Sequence, residues 1–172
     1  GKMNNNVKEL YFDDEEVGID RKTSHPNFIK AFTDEFYYDC TDEEAPFGND
    51  NGADTLYELE DYYKNGNNGE EITSFPKKIV SDIWDLNYIK YDSFDKKAIQ
   101  ELINKDRHSI LATDQVNIAV ALGEIKITGV IDPELKKTAL DAIKRLKIIF
   151  DLLGYGESET QNKIEQDLKD FN

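Results

Sequence analysis

The side chains best able to do chemistry in this chain gather in one run, Asp39-Cys40-Thr41-Asp42-Glu43-Glu44-Ala45-Pro46-Phe47-Gly48-Asn49-Asp50-Asn51-Gly52-Ala53-Asp54. Its carboxylate and amide oxygens, set in a glycine-bearing loop, suit a divalent cation held by Asp50 and Asp54. The EF-hand order is missing, however, because a start at Asp50 puts Gly52 where a ligand belongs. The same run also reads as a helix start, with Asn49 or Asp50 as the cap, Asp54 near the positive end of the helix and Phe47 packed as a staple. A hydrolytic acid and base pair is allowed by residue type. The carboxylates are too numerous to select one pair, and acid catalysis needs an apolar pocket that raises one of them.

Other chemistries fail on inventory. His25 and His108 stand alone in their segments, so no pair of histidines one turn apart can hold a catalytic zinc. One cysteine with two distant histidines cannot build a structural zinc site either. No glycine-rich phosphate cradle follows a strand, and Gly-Lys-Ser/Thr does not occur. Cys40 lies beside Asp39, Asp42, Glu43 and Glu44, whose negative charge disfavours a thiolate, so it reads as a small side chain near the core edge. His25 before Pro26 reads as a helix lead-in, and His108 as part of a polar turn.

The elements around the loop are mostly helical by period. Ser24-His25-Pro26 opens a short helix to about Glu35, with Phe28, Ile29 and Phe32 on one side. From Ala53, the residues Leu56, Leu59 and Tyr63 recur at helical spacing, and Asn65 to Glu71 is a connector. Ser74 caps a helix with Ile79, Val80, Ile83 and Trp84 inside, and Ser93 starts another through Ile103. Asp106 to Ser109 breaks that one. Thr113 or Asp114 then opens a helix apolar almost all round, which belongs at the centre of the core. Gly129 ends it, Asp132-Pro133 starts an antiparallel partner through Leu153, and Ser158 caps a last, thinner helix. Val7 to Phe12 reads as a short strand or extended lead-in. The expected fold is mainly α, a compact multi-helix domain of about six helices with a central antiparallel pair and at most a small β element near the N-terminus. It is expected as a single domain over 1–172, with 1–24 as a flexible or extended lead-in.

Charge narrows the partners. The chain carries a net −15, with 38% apolar and 33% charged residues. Through Lys64 there are 17 acids against 6 bases, a balance of −11, so the front third holds most of the field. That sign repels phosphate backbones, which makes nucleic acid and anionic membrane poor partners and a basic protein or a cation a good one. The aromatic set Phe36, Tyr37, Tyr38, Phe47, Tyr57, Tyr62 and Tyr63 either completes the core or, with the acids, forms a contact surface for a basic protein or a second copy of the chain. The binding surface expected on this reading is Asp42, Glu43, Phe47, Asn49, Asp50, Asp54 and Tyr57. No stretch reaches the roughly eighteen apolar residues that span a bilayer. Gly1 to Asn6 lacks a signal-peptide core, and a single cysteine fits a reducing cytosol, so the expected location is cytoplasmic.

The phrases His25-Pro26 through Phe36-Tyr37-Tyr38-Asp39, Asp42-Glu43, Ala45-Pro46-Phe47-Gly48-Asn49-Asp50 and Asp54-Thr55-Leu56 resemble the YfeS-like bacterial proteins of unknown function. In that family an acidic pair and an Ala-Pro-Phe-Gly-Ser/Asn-Asp phrase precede a helix. A similar Phe-Gly/Glu-Asn-Asp phrase occurs in small bacterial domains connected with toxin-immunity neighbourhoods, which implies an immunity-like binding role. Some relatives carry a WGR-type domain, but the only tryptophan here, Trp84, sits in Ile-Trp-Asp-Leu, so no link to nucleic acid follows. The resemblance implies no catalytic residue. It points to Asp42, Glu43, Phe47, Gly48, Asn49, Asp50 and Asp54 as the place to look.

Overall fold

A computed structural model describes residues 9–172. Six helices follow in order: α1 Pro26–Ala31, α2 Asp50–Lys64, α3 Phe75–Lys77, α4 Lys96–Thr128, α5 Pro133–Leu152 and α6 Glu159–Asp170. Among the described residues there is no strand, only an isolated antiparallel bridge between Asp14 and Gly18. Val7 and Lys8 lie outside the described residues, so the strand expected over 7–12 is seen only from Glu9 onward, where it is extended chain without a ladder.

The second part of α4 is the centre of the molecule. Its residues from Ile118 to Thr128 are all buried, as an apolar pattern around the whole helix requires. α5 packs along it as the antiparallel partner, joined by a short turn in which Gly129 takes the left-handed conformation and Asp132 caps the next helix through the Glu134 and Leu135 amides. α2 crosses the same helix, α1 and α3 touch it, and α6 lies against α5. The main core draws on all six helices, for example Phe28, Leu59, Phe75, Val120, Ile143 and Leu168. A smaller cluster of Ile99, Ile103, Ile110 and Ile149 holds the first part of α4 to the end of α5.

Several boundaries differ from the sequence expectation, each for a local reason. α1 ends at Ala31, not near Glu35, because Phe32 leaves the helix to stack on Phe28 at 4.8 Å, and a 3-10 turn over Glu35–Tyr38 follows. The helix expected to start at Ser74 is three α-helical residues continued by a π-type turn over Lys78–Ile83, closed by the Trp84 amide donating to the Ile79 carbonyl. That wider turn leaves Ile83 exposed, contrary to its expected place on the apolar face. Ser74 makes no cap, since its hydroxyl donates to the Glu71 carbonyl. Asp95 rather than Ser93 caps α4. The break at Asp106 is present as a non-helical residue inside α4, but helix resumes at once instead of at Thr113. Asp106 itself supplies the new cap, accepting from the Ser109 amide and hydroxyl.

The lead-in over 9–24 is tied down on α4. The Tyr11 amide donates to the Ile127 carbonyl, and the fully buried Lys126 pairs with Asp13. Asp13 also accepts from Thr23 at 2.8 Å, and its amide donates to Glu60 of α2 at 2.9 Å. Burial pushes the Glu60 carboxyl above its usual range.

Candidate functional site

The loop that the sequence singles out is folded back on itself. Asp39 accepts from the Thr41 amide and hydroxyl, which holds its carboxyl below the ordinary range, and Asp42 accepts from the Glu44 amide. Asn49 caps α2, accepting from the Gly52 amide at 2.7 Å while its own NH2 donates to the Ala45 carbonyl at 3.1 Å. The turns are too tight for side chains at two places. A Cβ on Gly48 would fall 1.9 Å from the Asp42 carbonyl oxygen, and one on Gly52 would fall 1.9 Å from that of Pro46. The reading of this run as a helix-start device therefore matches the geometry.

The residues expected to share one surface divide three ways. Phe47 is 2% exposed and belongs to the main core, so it offers no contact surface. Asp42, Glu43 and Asn49 stay with the loop. Asp50, Asp54 and Tyr57 lie on the outward side of α2 together with Asp61, spaced so that all four fall within about 60° of helix arc. Tyr57 stands 71% exposed in that stripe. Most of the other rings complete the core: Tyr37 is fully buried, with its hydroxyl donating to Asp167 at 2.7 Å. Among the described residues, no three His, Cys, Asp or Glu side chains come together as a metal site. His25 is a helix cap, its Nδ1 accepting from the Asn27 amide, and Cys40 is exposed rather than at the core edge.

Beside the loop runs a groove of about 550 Å³. Glu43, Glu44 and Asn49 form one wall, and the other side is built from Arg107 and Leu111 of α4 with Phe150 near the end of α5. Arg107 donates to the Tyr155 hydroxyl at 3.4 Å across the outer rim. A separate small space of about 10 Å³ adjoins the groove, sharing Glu43, Glu44, Asn49, Gln115 and Phe150 with it and adding Gln161 of α6. Gln161 is 3% exposed. Its NH2 donates to the Glu44 carbonyl at 2.7 Å, and its amide oxygen has no hydrogen-bond partner.

A relative covers nearly the whole chain. The protein carrying the name "Uncharacterized protein YfeS" in Escherichia coli (strain K12) is 35% identical over 167 residues, spanning 97% of this chain and 68% of that protein. The chain belongs to the YfeS family. The resemblance carried by the phrases around the loop thus extends over nearly the whole chain. No family model matches the chain, and no solved structure matches it.

Two further features of this YfeS-family chain lie outside the residues that the sequence singled out. The first is a buried ion pair between α4 and α5. Arg145 donates from Nε to both Asp114 oxygens at 3.1 Å and from Nη2 to Oδ1 at 2.8 Å, with both residues essentially inaccessible. The guanidinium also donates to the Ile89 and Lys90 carbonyls, lies 4.0 Å over the Tyr91 ring, and so clamps the extended chain after α3. Tyr91 donates to Asp114 and accepts from Asn117, which also donates to Tyr88. Burial pushes the Asp114 carboxyl up to about 6, while Arg145 and Tyr91 pull it back down. A sequence signal did exist, a charge at a core position of each apolar helix. The second feature is a cleft of about 640 Å³ whose lining includes Tyr63, Glu124 and Asp132. There the buried Glu124 carboxylate accepts from the Asp132 amide at 2.9 Å.

Proposed function

We propose that this YfeS-family chain is an acidic, non-enzymatic docking module that masks a basic surface on a partner protein, in the manner of an immunity protein. The outward face of α2 is the contact. One observation carries the reading. Tyr57, the most exposed of the large apolar side chains, stands among Asp50, Asp54 and Asp61, and none of these acids has an ion-pair partner among the described residues. The stripe runs about 16 Å along the helix. A rigid ring supplies contact area at low entropic cost, and unpaired carboxylates around it select a cationic partner and speed the encounter.

The test is capture from a native lysate at two salt concentrations, with wild type compared to Tyr57→Ala and Asp54→Lys. A basic protein should be retained at low salt, released at high salt, and lost in both variants. Capture of nothing at low or moderate salt, or capture indifferent to the two substitutions, removes the proposal. Light scattering on the purified chain checks the remaining case, in which the partner is a second copy.

A further inference from the structure

We infer that the Asn68-Gly69 step, on the lining of the cleft of about 640 Å³, is a site of self-modification. There the Gly69 backbone nitrogen attacks the Asn68 side-chain amide, and the asparagine becomes isoaspartate or aspartate. This does not depend on the docking role of α2.

Three Asn-Gly steps occur in the chain, at 51–52, 65–66 and 68–69. Glycine has no Cβ to hinder attack by its own nitrogen, so all three are reactive in an unfolded chain. The fold separates them. Closing the imide ring needs a free N–H on the glycine, rotation of the asparagine backbone and release of the side-chain NH2. At Asn51 each is blocked, because the residue lies in the first turn of α2, the buried Gly52 amide donates to Asn49 at 2.7 Å, and the Asn51 NH2 donates to Gln115 at 2.8 Å. At Asn65 the Gly66 amide donates to the Tyr63 carbonyl at 3.1 Å, and the NH2 donates to the Asp61 carbonyl at 2.9 Å.

Asn68 is arranged the other way. It precedes the 3-10 turn Gly69–Ser74 with an extended backbone, and Gly69, as first residue of that turn, donates its N–H to nothing among the described residues. Two hydrogen bonds then favour the reaction itself. The Tyr62 hydroxyl donates at 2.8 Å to the Asn68 carbonyl, the oxygen of the same peptide unit as the Gly69 nitrogen, so it draws charge from that nitrogen and helps it give up its proton. The Glu70 amide donates at 3.0 Å to Asn68 Oδ1, where negative charge develops as the nitrogen adds to Cγ, which makes it a single-donor oxyanion hole. Asn68 is exposed, and its NH2 is held by no group among the described residues.

Water is the only co-reactant. The Gly69 nitrogen bonds to Cγ, the Cγ–Nδ2 bond breaks, and ammonia leaves with the proton that Gly69 lost. Water then opens the imide at either carbonyl. Opening at the Asn68 backbone carbonyl gives isoaspartate, and opening at Cγ gives aspartate. Either product puts a new carboxylate on a cleft that Glu70 and Glu124 also line, and isoaspartate adds an atom to the main chain where the 3-10 turn begins.

The test incubates the purified chain in mildly alkaline buffer and follows its peptides by mass spectrometry for replacement of NH2 by OH, with isoaspartate told from aspartate by fragmentation. Asn68 should convert at least about tenfold faster than Asn51 and Asn65, and the three rates should converge in guanidinium chloride. Tyr62→Phe keeps its ring against Phe75 and should slow Asn68 by about threefold, the loss of one hydrogen bond. Gly69→Ala should slow it by about tenfold or more. That variant keeps the fold, since its Cβ meets only the Tyr63 hydroxyl at 3.4 Å and Glu124 Oε2 at 3.8 Å. Equal rates at the three steps in the folded chain, a faster Asn51 or Asn65, the same order in denaturant, or an undiminished rate in either variant overturns the inference.

Discussion

Two polar sites, one between α4 and α5 and one beside them at α6, are built to opposite standards. At Asp114 and Arg145 the guanidinium is distributed over a carboxylate, two carbonyls and a ring, and the surrounding hydroxyl and amide groups are engaged. At Gln161 one amide hydrogen bond, to the Glu44 carbonyl, joins α6 to the loop, and the buried side-chain oxygen has no partner within the protein. Buried polar groups that serve the fold are paired, because each orphan costs on the order of 1–3 kcal/mol. The first site therefore reads as a fastener, and the second as a lightly held seam between α6 and the loop.

The contrast breaks most readily at the fastener. Arg145→Met leaves Asp114 buried without its counter-charge and should cost about 3–5 kcal/mol in urea unfolding, whereas pairing it with Asp114→Leu should recover most of that loss. If the single variant were as stable as wild type, the two sites would not differ in kind. A second check uses pH. Burial raises the Asp114 carboxyl from its ordinary value of 3.8 to about 6 in the fold. An acid raised on folding gives its full stabilisation below the unfolded pKa, and that share is lost as pH climbs from about 4 to about 6. Carboxyl-carbon NMR at Asp114 should show a midpoint near 6, moving higher in Arg145→Met. At the seam, Gln161→Met removes an orphan acceptor along with one good hydrogen bond, so its stability should stay within about 1 kcal/mol of wild type. The smallest effect belongs to Tyr57→Ala, within about 0.5 kcal/mol by thermal unfolding, because so exposed a ring holds nothing in place.

Much of the helical framework was legible from periodicity and punctuation. Asp132-Pro133, Gly129 and Ser158 mark real helix ends, Asn49 is a real cap, and the apolar belt of α4 lies at the centre as its pattern demands. Where tertiary packing overrides local preference the reading failed, as at Phe32, which leaves its helix to stack, and at the π-type turn that turns Ile83 outward. The loop was found by its composition, but its use was not. Asp39 and Asp42 face inward to their own turns, and Phe47 disappears into the core. The seam joins Glu44 to Gln161 across 117 positions, and the ion pair joins Asp114 to Arg145 across 31. A linear pattern shows that a charge stands at an apolar position, and only the packed helices show which charge answers it.

The non-helical residue at Asp106 divides α4 into unequal parts with separate attachments. The longer part is enclosed by the main core, while the shorter one is held by the small isoleucine cluster and an exposed contact between Lys96 and Asp151. Native-state hydrogen exchange should therefore find the amides of residues 100–105 released by a local opening of this arm, ahead of those in the enclosed part of α4.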